Sequence, residues 1–206
     1  MANPYVAVVG NVCSGKSTFI SQFSSWHEEW QGLPEKLHEG KWEYPPDADG
    51  QIITTFFLIY YANRHLQAQK INGPVIQESC LETNNLFPEA YYELGNISIN
   101  QYHILKLGNS TFINSMPRPD FYVYLHAPVD VLLARAETRK EPARTISLNL
   151  IPIMQTRLEN WIDHHDDQDR IFRVDTGSIN TYGALNLFED VINCVRKTTY
   201  NARDIA

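Results

Sequence analysis

Near the N-terminus, the run Gly10-Asn11-Val12-Cys13-Ser14-Gly15-Lys16-Ser17 constrains this chain more than any other part of its sequence. It satisfies G-x4-G-K-[ST] in full, and its flanks fit. Tyr5 to Val9 (YVAVV) is an apolar run rich in β-branched residues, which reads as a strand buried on both faces. After Thr18, apolar residues at Phe19, Ile20, Phe23, Trp26 and Trp30 recur in helical steps. That spacing predicts an amphipathic helix to about Glu29, with both tryptophans packed in the core. A strand, a glycine loop and a helix in that order make a phosphate cradle: loop N–H groups wrap the anion and the helix N-terminus adds a favourable dipole. Residues Gly10, Asn11, Val12, Cys13, Ser14, Gly15, Lys16, Ser17 and Thr18 would line a nucleoside triphosphate such as ATP. Lys16 would reach its β- and γ-phosphates, and the Ser17 hydroxyl would ligate Mg²⁺.

The rest of the chain alternates strands with helices. Pro74–Gln77, Phe121–Leu125 and Ile171–Val174 read as further buried strands. Helical stretches fall at Pro88–Glu93, Asn100–Asn114, Val129–Arg139, Ser147–Asp163 and Ala184–Arg196. Gln51 to Lys70 is apolar almost all round, which predicts a buried helix, packed in part against a second subunit of a homodimer. The pattern predicts an α/β fold, a central parallel sheet flanked by helices and joined by right-handed crossovers. With 206 residues and no repeat or linker, the expectation is a single domain over residues 1–206.

Composition narrows the partners. The net charge is −7, with no basic stripe to neutralise a nucleic-acid polymer. A small anion needs only a local positive pocket. Three widely spaced cysteines, Cys13, Cys80 and Cys194, form neither a C-x-x-C pair nor a disulfide framework. With no run long enough to span a membrane and no signal segment, a cytoplasmic protein is expected. Asp163-His164-His165-Asp166-Asp167 looks like a metal cluster, but adjacent residues at a helix end diverge, so a polar terminus is expected. No N-K-x-D guanine motif is present. Glu78, at the end of the second long strand, stands where an acidic residue would help hold Mg²⁺.

Several segments resemble, in order, the deoxyribonucleoside kinases. The loop is similar to their GNIGSGKST. Leu33-Pro34-Glu35 resembles V-P-E-P, Gln77-Glu78-Ser79 lies at E-R-S, and Pro119-Asp120 through Tyr124-Leu125 resembles P-D-x-x-x-Y-L. Arg135 to Arg144 lies at an arginine-rich lid, Ile146-Ser147-Leu148 resembles I-P-L, and Glu159-Asn160-Trp161 resembles E-x-W. The resemblance implies a three-layer P-loop kinase fold with five parallel strands, the short one after the first helix included. It also implies transfer of the γ-phosphate of ATP to the 5′-hydroxyl of a deoxyribonucleoside, a salvage reaction.

By that resemblance Glu35 is the general base, with Glu39 the competitor on its spacing to Trp42. Arg135, Arg139, Lys140 and Arg144 supply cations from a lid at about 135–146. Departures fall on the acceptor half. Ser79 replaces an arginine, for which Arg64 or Arg118 are stand-ins, and Asn84 replaces an acidic residue. Thr54 or Thr55 stands where a glutamine reads the base, with Gln51 near, and only Glu141 is placed to meet the sugar. The alternatives are a thymidylate-type monophosphate kinase and a nucleotide-binding homologue impaired in catalysis.

Overall fold

The structure is a computed structural model that describes residues 3–35, 49–138, 148–178 and 181–201. Its elements are β1 (Tyr5–Gly10), α1 (Lys16–Trp26), β2 (Gln31–Leu33), α2 (Gly50–Ala68), β3 (Val75–Glu78), α3 (Leu81–Asn84) and α4 (Phe87–Glu93). The chain continues through α5 (Ile99–Ser115), β4 (Phe121–His126), α6 (Val129–Thr138), α7 (Leu150–Asp163), β5 (Ile171–Asp175) and α8 (Thr181–Asn201).

The strands form one sheet of five in the order β2-β3-β1-β4-β5, every pair parallel. Successive side chains of a strand face opposite ways, and both faces here are covered. Val6 and Val8 of β1 meet Phe19, Ile20 and Phe23 of α1 and Phe188 and Ile192 of α8. Ala7 and Val9 face Met154 and Leu158 of α7 and Ala90 of α4. The continuous apolar run of β1 therefore serves two cores at once. The result is the expected three-layer arrangement.

The chain leaves β1 for β2 and β3 on one side and returns to β4 and β5 on the other. Strand order reverses at β1, and such a switch point leaves a crevice beyond the carboxyl ends of the strands. Gly10 and the loop after it open into that crevice.

Two expectations are corrected. Helix α1 ends at Trp26 rather than near Glu29, and Trp26 is 61% exposed rather than in the core. The apolar stripe of α1 is complete at Phe23, and the chain turns at His27, whose N–H bonds the Phe23 carbonyl. Trp30 then folds back, its ring 5.4 Å from that of Phe23 and edge-on to it. Helix α2 is also less buried than its composition predicts. Tyr60, Tyr61, Arg64 and His65 turn inward, but Ile52, Ile59 and Leu66, seven residues apart, form an exposed stripe. Among the described residues no helix is long and apolar enough to cross a membrane.

Candidate active site

A cavity of 890 Å³ opens over the carboxyl end of β1, lined along one wall by every residue from Gly10 to Phe19. The loop has the shape its glycines predict. Gly15 has φ 93°, and a Cβ added there would meet nothing within 4 Å: that face of the loop is open. A Cβ on Gly10 would lie 2.4 Å from the Leu125 carbonyl oxygen, so only glycine lets β4 come this close. Cys13 also has a positive φ, 63°. No side chain caps α1 and no acidic residue stands in its first turn, which leaves its first N–H groups pointing at the cradle. Ser14 Oγ is buried with no partner among the described residues. Lys16 Nζ donates to the carbonyls of Gly10 (3.2 Å) and Asn11 (2.9 Å), a weak set that an incoming phosphate can replace.

Beneath the loop, Asn11 is a strut. Its Nδ2 donates to the Ile151 carbonyl at 2.8 Å and to Gln155 Oε1 at 3.2 Å, while Gln155 Nε2 bonds Tyr124 and Glu159. The loop is thereby fastened to α7, a link that nothing in the sequence spacing announces.

Glu78 joins the two halves of the site. Its Oε1 accepts from the Ser17 hydroxyl at 2.9 Å, and its Oε2 accepts from the backbone N–H of Glu35 at 2.7 Å. A serine hydroxyl and a carboxylate, side by side at the phosphate cradle, are the hard oxygen donors that Mg²⁺ prefers, with phosphate and water completing its shell. Ser17 and Glu78 fit that ion.

Glu35 lies in the cavity wall just past β2. Tyr61 of α2 donates its hydroxyl to Glu35 Oε2 at 2.9 Å. Arg64 donates to the carbonyls of Leu33 and Pro34, the latter at 2.6 Å, and to the Tyr60 hydroxyl at 3.0 Å. Burial, then the Glu78 charge, push the Glu35 carboxyl above the usual carboxylate range, against the pull of Lys16, Tyr61 and Arg64. Burial likewise holds the Tyr61 hydroxyl protonated well above its ordinary value.

The acceptor end is mostly apolar, with Ile53, Phe57, Phe87, Tyr91, Leu150 and Met154 around it. Thr54 is not free to read a base, because its hydroxyl donates to the Gly50 carbonyl at 2.6 Å. Gln51 Oε1 accepts from Gln101 Nε2 at 2.6 Å. Asn84, buried at the wall, donates to Asn109 Oδ1 at 3.2 Å, while Asn109 Nδ2 is committed to the Leu105 carbonyl at 3.0 Å. That chain fixes the Asn84 amide with its Oδ1 as the end left unpaired among the described residues.

Of the two arginines offered for the place of Ser79, Arg64 reaches the Glu35 strand end. Arg118 instead lines a second cavity with Glu82 and Trp161. Arg135 lies in the last turn of α6, donating to the Thr176 carbonyl at 2.7 Å and to the Cys13 carbonyl at 3.5 Å. It thus links the residue after β5 to the phosphate loop. Arg139, Lys140, Glu141, Arg144, Glu39 and Trp42 fall outside the described residues. Tyr61 went unread in the sequence. Its signal is spacing, since Phe57, Tyr61 and Arg64 put a hydroxyl and a guanidinium on one face of the helix.

Fold and site together define a P-loop phosphotransferase. The chain belongs to the deoxynucleoside kinase family, whose profile matches residues 6–199. It is an ATP-dependent deoxynucleoside kinase. Among solved structures it is similar to the deoxyadenosine kinase from M. mycoides with bound dATP, at TM-score 0.72 and 18% identity, covering 91% of this chain and 98% of that one. The same enzyme with the products dCMP and dCDP gives TM-score 0.75 at 18% identity, covering 92% and 98%. No curated protein matches the chain by sequence.

Proposed function

We propose that Glu35 takes the proton of the 5′-hydroxyl while the loop at Lys16 holds the donor triphosphate. The observation that carries this reading is Glu78, one side chain bonded both to Ser17 in the phosphate cradle and to the backbone of Glu35. The two reacting partners are thereby held in one frame, which is what in-line transfer requires. The 5′-oxygen bonds the γ-phosphorus as its proton passes to Glu35, and the bond from that phosphorus to the bridging oxygen breaks, releasing ADP. Lys16 exchanges its two carbonyl partners for β- and γ-phosphate oxygens. Ser17 and Glu78 would hold Mg²⁺, which would supply charge neutralisation on the phosphates when bound. Arg135 steadies the donor at Cys13, and Arg139 and Arg144 bring further cations from the segment after α6.

The working unit is a homodimer built on the exposed stripe of α2 and on Ile104 and Leu107 of its neighbour α5. The three cysteines are free, which fits work in the reducing cytoplasm. The chain acts as one domain, with deoxynucleoside and nucleoside triphosphate as its small-molecule partners. A coupled assay over a panel of deoxynucleosides and their monophosphates tests the acceptor. Turnover of free deoxynucleosides is expected, and faster phosphorylation of a monophosphate than of every nucleoside would overturn the reading.

A further inference from the structure

We infer that Tyr61 is a positioning residue for phosphoryl transfer, holding the Glu35 carboxylate so that one defined oxygen meets the acceptor hydroxyl. The inference rests on the reading of Glu35 as the proton acceptor.

Three observations carry it. The Tyr61 hydroxyl donates to Glu35 Oε2 at 2.9 Å, and Glu35 Oε1 carries no hydrogen bond among the described residues. With Oε2 engaged, Oε1 is the carboxylate oxygen left for another partner, and rotation of the group is restrained. The Tyr61 ring is itself locked, buried, stacked on Phe57 with centroids 5.9 Å apart and edge-on to Tyr60 at 5.4 Å. Finally, the distance between α2 and Glu35 is fixed from the same helix. One turn on from Tyr60, Arg64 donates to the Leu33 and Pro34 carbonyls, and so pins the strand end that delivers Glu35. A tyrosine that only filled space would need no hydroxyl here. This one lies in the cavity wall with Glu35, Glu78 and Ser79, and its hydroxyl donates to Glu35. Kept protonated by burial, it acts as a donor and not as a base.

The role acts on the transition state, since the proton moves only there. Tyr61→Phe keeps the ring and removes the hydrogen bond. It is expected to lower kcat roughly ten- to a hundredfold, the range for a bond to a charged group, with KM for ATP and for the deoxynucleoside within about twofold. The decisive measurement is a cycle of Tyr61→Phe, Glu35→Gln and the double variant, assayed with the best deoxynucleoside of the panel. A residue acting through Glu35 adds nothing once Glu35 is gone, so the double variant should be no slower than Glu35→Gln alone. Thermal midpoints of all three guard against a folding effect. Full loss in Glu35→Gln with wild-type kcat in Tyr61→Phe overturns the inference and leaves Glu35 as the base. So does a rise in nucleoside KM at constant kcat, which would make Tyr61 a substrate contact, or additive losses in the double variant. An active Glu35→Gln removes both readings together.

Discussion

Glu78 is bonded on one side to Ser17 and on the other to the backbone of Glu35, so damage at any of the three spreads to the others. Lys16 is different. Among the described residues its hydrogen bonds go to carbonyls of its own loop, and its removal should leave the frame standing. Lys16→Ala is therefore expected to fold with an unchanged thermal midpoint and to lose roughly a thousandfold in kcat, since cationic stabilisation of the transferring phosphoryl is worth several kcal/mol. Single-turnover kinetics on the purified variant check this, and normal turnover would remove the phosphate-loop assignment. For the base, Glu35→Gln should lower kcat at least about a hundredfold with ATP affinity near wild type, whereas Glu39→Gln changes little. Isothermal titration with ATP beside steady-state rates separates the two. A dead Glu39→Gln beside an active Glu35→Gln would move the base four positions along the chain.

At the scale of elements, β1 and the loop after it were legible because they obey local rules: a β-branched run, glycines where backbone must turn, a helix with three apolar residues in step. Tertiary geometry decided the rest. Trp26 follows Phe23 by three residues and shares its side of an ideal helix, yet the helix stops there and the ring projects into solvent. Trp30, beyond the helix, is buried because the turn at His27 brings it back over Phe23. The acceptor half was hardest to read. Thr54 and Gln51 sit at apt positions, but the Thr54 hydroxyl donates to Gly50 and Gln51 Oε1 accepts from Gln101, and only the folded structure reveals such commitments. The contrast within α1 is measurable. Phe23 is fully buried between Phe19, Trp30 and Phe188, so Phe23→Ala should cost about 3–5 kcal/mol, while Trp26→Ala should stay within about 1 kcal/mol. Urea unfolding of the two variants gives both numbers, and equal losses would mean that α1 packs differently.

Over the whole molecule, α2 has two faces with separate duties. Its inner face sends Tyr61 to Glu35 and Arg64 to the end of β2. Its outer face leaves Ile59 50% exposed between Ile52 and Leu66, and on α5, which packs beside it, Ile104 is 62% and Leu107 72% exposed. Large aliphatic side chains concentrated on two adjacent helices are costly to leave in water, and covering them with a second copy of the same surface gives a two-fold homodimer. The chain should therefore sediment at twice its monomer mass, and its thermal midpoint should rise with protein concentration, because dilution favours the unfolded monomer. Ile59→Asp places a charge in the middle of the stripe without touching the inner face. The variant is expected to sediment as a monomer, to lose the concentration dependence of its midpoint, and to keep its ATP affinity, since Ile52, Ile59 and Leu66 lie outside the lining of the cavity. A wild-type chain that stays monomeric at high micromolar concentration would remove the homodimer and leave the exposed stripe of α2 without its proposed cover.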